Sequence, residues 1–428
     1  MGRDSLILRP EQVDLIQNLR EADYELGYFL VIWLMREGKT APVLEYLVQT
    51  DYTDILVVCP PNVIHVWEKE LRRHKKDRRY FTIISDSERS INNYVSRIMP
   101  DCIVVDEIHR FRAYSERYKA LVRLSRYTSF RIGMTGTPID QYLSELYYPL
   151  QWLSDKKFFG LGKGEAITSK KVFESVYCSP ITPGYKHTKY EINPAIREDF
   201  KKEIMKVASI FKSGNVHEAR HERVTYPLTA EQMRMIETIE RKDEFKKGDV
   251  LNDVFLEATT AIRRDKIRQV YGGFIYHDAD VVKTWRTWKW IYLCRLIRDL
   301  GGRRTVIWYK YTYEMNRIMD MLSQYHIEEY STHALSRFND GELDILVCHP
   351  ASAGAGVDIS HAQYAVFISY IPKWIDVMQA FYRLSKYGEK SDKVIYHLLA
   401  DHSQDHEDFE KMANKRDATM EIYDAPKS

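Results

Sequence analysis

Five short apolar runs in the first third of the chain each stop or start abruptly at a polar motif, and that pattern narrows the fold more than any other feature. Phe29–Trp33 (FLVIW) stops at MREGKT, and Ile55–Cys59 (ILVVC) stops at Pro60-Pro61. Phe81–Ile84 follows a basic helix end, Cys102–Val105 stops at Asp106-Glu107-Ile108-His109, and Phe130–Met134 stops at Thr135. Runs this short, with no polar alternation and with helical stretches between them, suit strands of a parallel sheet covered on both faces. Ligands of such sheets gather beyond the carboxyl ends of the strands, which is where the polar motifs fall.

A second set of runs begins near Arg303: Thr305–Tyr309 (TVIWY), Asp344–Cys348 (DILVC), Val366–Tyr370 (VFISY) and Lys393–Leu399 (KVIYHLL). These predict a second α/β lobe. Between the sets, GLGKG at 160–164 and PITPG at 180–184 punctuate loops, and helical spacing then dominates. The expected division is 1–155 for a first lobe, 156–280 for a mainly helical accessory region, and 281–428 for a second lobe ending in a helix and tail. A length of 428 residues suits two or three domains.

Composition excludes several classes. A hydrophobic fraction of 44% suits a folded, soluble chain rather than a disordered one. No apolar segment is long enough for a signal peptide or a membrane span, so no membrane partner is expected. The five cysteines, Cys59, Cys102, Cys178, Cys294 and Cys348, are scattered without metal-ligand spacing, which fits a reducing, cytoplasmic setting. Net charge is only +2, so nucleic-acid binding is not announced by bulk electrostatics, although a groove can still be locally basic.

The polar motifs carry a nucleotide chemistry. Gly38-Lys39-Thr40 after a strand and before a helix supplies backbone amides, a lysine for the β- and γ-phosphates, and a hydroxyl for magnesium. The full loop pattern is not met, since Trp33 occupies the first glycine position. Asp106 at a strand end would hold magnesium, and Glu107 would orient and deprotonate the attacking water. Taken singly, each also fits an exposed turn or a helix cap. His109 would couple this pair to Thr135 and Thr137, or cap a surface turn. Gln12, in Leu8-Arg9-Pro10-Glu11-Gln12, carries an amide able to read adenine. In the second lobe, the small-residue stretch Ala353–Asp358 allows close approach to phosphate or ribose, making Gly356 and Asp358 candidates. Gln379 and Arg383 share a helix face that could bring a cation to the γ-phosphate.

Together these motifs resemble helicase superfamily 2, and within it the Swi/Snf-type ATPases and related phage helicases. The resemblance rests on LVVCPPNVIHVWEKEL, VVDEIHRF, GMTGTPIDQYLSELYYPLQWL, KIRQVYGGFIY, SAGAGVDIS and MQAFYRLSKYGEK, and it extends from Leu8 to about Ala400. It implies two RecA-like, doubly wound lobes with magnesium ATP between them, and movement along one strand, usually 3′ to 5′. By matched position it implies that Lys39, Thr40, Asp106, Glu107, Gln379 and Arg383 form the ATPase site. Thr135 and Thr137 would couple hydrolysis to lobe movement. Two positions depart from the family: Arg36 stands where Swi/Snf members usually have glycine, and Lys386 replaces a second arginine and cannot form its bidentate fork.

The resemblance implies DNA as the polymer, single-stranded, forked or branched. RNA, as in a DExH-type helicase, is the less favoured partner, and a degenerate clamp that binds without hydrolysis is a third reading. The compact chain suggests a minimal phage-type motor serving recombination, replication or repair beside proteins of those processes, in a host cytoplasm. Candidate contacts to nucleic acid are Pro61, Asn62, Arg72, Arg73 and Ser352. Arg263, Arg264, Lys266 and Arg268 precede Tyr271, Phe274 and Tyr276, a mix that could stack on bases but fits core packing better.

Overall fold

The apolar runs are strands, and the branched, uncharged side chains that fill them explain why. In the computed structural model β1 is Tyr28–Trp33, β2 Ile55–Cys59, β3 Phe81–Ser85, β4 Cys102–Asp106 and β5 Phe130–Thr135. β2, β4 and β5 are buried at every position. Each Val or Ile so buried contributes about 1.5–3 kcal/mol. The structure describes residues 8–73, 80–95, 99–139, 143–155, 167, 169–180, 190–193, 195, 197–213, 219–240, 260–277, 280–301, 304–350, 357–371, 374–384 and 392–423.

The chain forms two units, residues 1–214 with 415–428, and residues 215–414. In the first, β6 (Cys178–Pro180) and β7 (Tyr190–Ile192) make a small antiparallel pair, and β8 (Ala208–Phe211) joins the main sheet. The order is β3-β2-β4-β5-β1-β8, every pair parallel. After β1 the chain crosses to β2 and β3 on the far side, then returns to place β4 beside β2 and β5 between β4 and β1. The carboxyl ends of β4, β5 and β1 are therefore neighbours, and the three motifs that follow them are brought side by side.

Arg131 breaks the apolar pattern of β5 and is nevertheless buried. Its guanidinium donates to the carbonyl oxygens of Ser125 and Trp152, each at 2.8 Å. Ser125 ends the helix Glu116–Leu124 and Trp152 lies in the last turn of Tyr147–Leu153, so one cation satisfies the carboxyl ends of two helices.

The second unit has β9 (Arg220–Tyr226), the antiparallel pair β10 (Phe274–His277) and β11 (Asp280–Thr284), then β12 (Thr305–Trp308), β13 (Ile327–Glu329), β14 (Ile345–Cys348), β15 (Tyr364–Phe367) and β16 (Val394–Ala400). Its main sheet runs β13-β14-β12-β15-β16-β9, again all parallel. The expectation of two parallel-sheet α/β lobes holds.

The stretch 156–280, expected as a mainly helical accessory region, contributes to both units. Its described helices are Lys170–Tyr177, Arg197–Met205, Ala230–Glu240 and Thr260–Gly272, but it also carries β6 to β10, with β8 and β9 at the edges of the two main sheets. Edge strands are covered on fewer sides. β9 is mostly exposed or half-buried, so RHERVTY shows no apolar run to betray it. Tyr271 and Phe274 are buried, and Arg264 and Arg268 pair with Asp408 at 2.7 Å, which is the core-packing arrangement. No helix among the described residues is long and apolar enough to cross a membrane.

Candidate nucleotide site

The loop after β1 turns twice through the left-handed region. Arg36 and Gly38 both have φ +70°. Glycine adopts this freely, whereas a residue with a Cβ is disfavoured by about 1–2 kcal/mol, so the loop holds Arg36 in a strained conformation. Lys39 sits at the N-cap of the ten-residue helix Thr40–Gln49, and Thr40 is its first, half-buried residue. The free amides of that helix start can face an anion. Gln12 is 7% exposed; its Nε2 donates to the Gly38 carbonyl at 3.0 Å and its Oε1 accepts from the Arg9 amide at 3.0 Å. The amide expected to read adenine is thus engaged in holding the loop that carries Lys39.

Lys39 reaches the turn after β5. A Cβ built on Gly136 would lie 3.4 Å from Lys39 Nζ and 2.8 Å from Met35 Cγ. Glycine is the residue that lets the two loops approach this closely.

Asp106 and Glu107 are both buried at the end of β4. Trp67 Nε1 donates to Asp106 Oδ2 and the Glu107 amide donates to Oδ1, each at 3.0 Å. Glu107 has φ +53° and ψ +50°, a left-handed conformation unusual for a glutamate. His109 Nδ1 lies 3.0 Å from Thr135 Oγ1, 3.5 Å from Thr137 Oγ1 and 3.3 Å from Glu107 Oε2. Thr135 Oγ1 in turn accepts from the Thr137 amide at 3.0 Å. His109 therefore stands between the acidic pair and the threonine turn.

The two carboxyls are pushed apart. Burial, and then the charge of Glu107, raises Asp106 above the usual aspartate range, with Lys39 and the Trp67 N–H opposing. Burial also works against ionisation of Glu107. The His109 contact and the charges of Lys39, His109 and Arg110 outweigh it and bring this group to about 2. Glu107 Oε2 is buried and completes no hydrogen bond among the described residues. The neighbour of that oxygen is the His109 ring, 3.3 Å away.

The donor set fits magnesium bound with a nucleotide. The described residues hold no group of three or more His, Cys, Asp or Glu able to cage a metal. Magnesium favours oxygen ligands and few protein ones, completing its shell with water and phosphate, and a hydroxyl with one or two carboxylates meets that need.

In the second unit Gln379 and Arg383 share a face of the helix Trp374–Leu384, and Arg383 Nη2 lies 3.4 Å from Gln379 Oε1. Asp358 is exposed, and its Oδ1 accepts from the Ser360 amide at 3.0 Å. Ser352, Gly356 and Lys386 lie outside the described residues. Among the candidates for nucleic acid, Pro61 and Asn62 form a short 3-10 turn after β2. Arg72 and Arg73 are exposed and pair with Glu68 and Glu70 on their own helix, at 3.6 Å and 2.7 Å, the arrangement of a solvated helix end.

Two residues of this site escape sequence reasoning. Trp67 looks like one apolar residue of an amphipathic helix, and only the fold brings its N–H to Asp106. Glu37, inside the phosphate loop, is 0% exposed, and Ser213 donates to its Oε1 from the amide at 2.9 Å and from Oγ at 2.8 Å. Burial raises its carboxyl above the usual range, against the lowering effect of Ser213 and Arg9. An acidic residue between two loop positions reads as exposed until its partner is known.

The family described as Type III restriction enzyme, res subunit, matches residues 39–140, which runs from Lys39 through the acidic pair to the end of the threonine turn. Switch 2 of Arabidopsis thaliana is 24% identical over 165 residues, 33% of this chain and 18% of that protein. The CHD3-type chromatin-remodeling factor CHR7 of the same plant is 27% identical over 110 residues, 25% of this chain and 9% of that protein. The chain is similar to the Swi/Snf-type ATPases of helicase superfamily 2. Putative protein p41 of Acyrthosiphon pisum secondary endosymbiont phage 1 is 21% identical over 338 residues, 73% of this chain and 70% of that protein. The chain thus spans under a fifth of the two plant relatives and 70% of the phage one. A solved Sulfolobus solfataricus SWI2/SNF2 ATPase core in complex with dsDNA aligns with a TM-score of 0.42 and 17% identity, over 97% of this chain and 92% of that one.

Proposed function

We propose that this chain is an ATP-dependent DNA translocase of superfamily 2, whose nucleic-acid-stimulated ATPase drives movement along DNA and remodels forked or branched substrates. The observation that carries the reading is the meeting of three motifs at the neighbouring ends of β1, β4 and β5. His109 links Glu107 to Thr135 and Thr137, and Lys39 Nζ lies against Gly136 in the same turn. Magnesium ATP, when bound, supplies the phosphoanhydride and the cation that neutralises it. Lys39 would hold the outer phosphates, and Thr40 and Asp106 would hold the metal. Glu107, kept ionised by its surroundings, would orient and deprotonate water. His109 would pass the change at Glu107 to the threonine turn. Gln12 would fix the loop that carries Lys39. We extend the proposal to Gln379 and Arg383 of the second unit as its contribution to hydrolysis.

The duplex-bound title of the Sulfolobus core concerns that protein, and DNA is proposed here on the likeness to Swi/Snf-type chains in sequence. The test is ATP hydrolysis with no polymer, single-stranded DNA, duplex DNA, a four-way junction and RNA, each beside Lys39→Ala. Stimulation by DNA that the variant abolishes supports the reading, and the ranking of the DNA forms decides the branched-substrate part. Stimulation by RNA alone would overturn the DNA assignment.

A further inference from the structure

Glu37, in the loop that carries Lys39, is fully buried. Isolated burial of a carboxylate is costly, so its partners define what it does. One oxygen takes both donors of Ser213. The other lies 3.9 Å from Arg9 Nη1, and the Glu37 carbonyl accepts from Arg9 Nη2. Ser213 is the last described residue before the chain leaves the first unit at 214. The strand before it, β8, pairs with β1 in the register Trp33↔Phe211, and the Leu34 amide donates to the Phe211 carbonyl at 3.0 Å. The phosphate loop and the exit segment thus leave the sheet at the same level, and Glu37 ties them together one step further on.

We propose that Glu37 is a positioning residue that links the conformation of the phosphate loop to the path of residues 212–213, and so transmits nucleotide state to the segment leading out of the first unit. The inference rests on the ATPase reading and adds to it a connection through the chain itself. The loop cannot shift while Glu37 keeps both Ser213 bonds, unless residues 212–213 shift with it.

The test compares the full-length chain with Glu37→Gln, Glu37→Ala and Ser213→Ala. Amide hydrogen exchange at residues 208–213 is read with and without ADP, and kcat and KM for ATP are read with saturating DNA. The parent should show nucleotide-dependent exchange at 212–213; Glu37→Ala should lose that dependence, and Ser213→Ala, which keeps the amide donor, should weaken it. Glu37→Ala should lower DNA-stimulated kcat by about tenfold, and Ser213→Ala, which leaves the loop and the Ser213 amide bond in place, by less, with KM for ATP unchanged. Glu37→Gln keeps shape and an acceptor and should fall between, which also covers a failure of the alanine variant to fold. Nucleotide-dependent exchange at 212–213 that survives undiminished in Glu37→Ala and Glu37→Gln would overturn the link, as would parental kcat in both. If the parent neither binds nor hydrolyses ATP, the ATPase reading falls. The contact is then judged by nucleotide-free exchange at 208–213, where no difference between parent and Glu37→Ala overturns it as well.

Discussion

At the residue scale, Glu107 combines burial, a left-handed backbone and an ionised carboxylate with one oxygen lacking a hydrogen bond among the described residues. Backbone conformations of this kind cluster at active sites and ligand clamps. Glu107→Gln keeps the size and removes the base. ATP affinity should stay within about threefold of the parent while DNA-stimulated turnover falls at least about a hundredfold. Equilibrium binding of a fluorescent nucleotide alongside steady-state hydrolysis checks both halves, and parental turnover would remove Glu107 from its role. Lys39, Asp106, Thr135 and their neighbours were legible in sequence because each follows an apolar run, and the ends of parallel strands are where ligands collect. Glu37 and Trp67 were not, since their meaning lies in contacts with residues 176 and 39 positions away.

At the element scale, two buried charges hold secondary structure in place. Arg131→Met would strip the carbonyls of Ser125 and Trp152 of a charged donor. The first unit should lose about 3 kcal/mol of stability, seen as a lower midpoint in urea unfolding. Asp405, in the first turn of the helix Ser403–Tyr423, accepts from the Ala400 amide at 2.7 Å and so joins that helix to the end of β16. Burial raises its carboxyl to about 6 from the ordinary 3.8, more than the Ala400 bond and Lys289 lower it. The folded chain therefore binds this proton more tightly than the unfolded one. Its stability contribution is complete below 3.8 and is lost as pH rises through about 6. Asp405→Asn should match the parent near the lower value and gain on it with rising pH, by about 3 kcal/mol at neutrality. Unfolding midpoints across that range test the sign, and a difference independent of pH would contradict it. The core strands of both sheets were readable as apolar runs. β8 and β9 were not, because edge strands alternate or carry charge and resemble the helical stretches around them.

At the scale of the whole molecule, two parallel sheets were foreseeable from two sets of apolar runs, and the edge strands β8, β9 and β13 that bring each sheet of the chain to six were not. Contacts divide it near 214, and residues 415–428 return to the first unit, a boundary marked by no change in composition. Tyr423, on that returning segment, donates to the Gly136 carbonyl at 2.7 Å, a contact made across 287 positions of sequence that no local pattern could announce. The central claim, that the network around Lys39 is a working ATPase site driven by DNA, is tested most directly by steady-state ATP hydrolysis with and without DNA for the parent and Lys39→Ala. The account predicts strong stimulation by DNA in the parent and hydrolysis at the no-enzyme background in the variant. Hydrolysis that DNA leaves unchanged, or that survives the loss of Lys39, would contradict it.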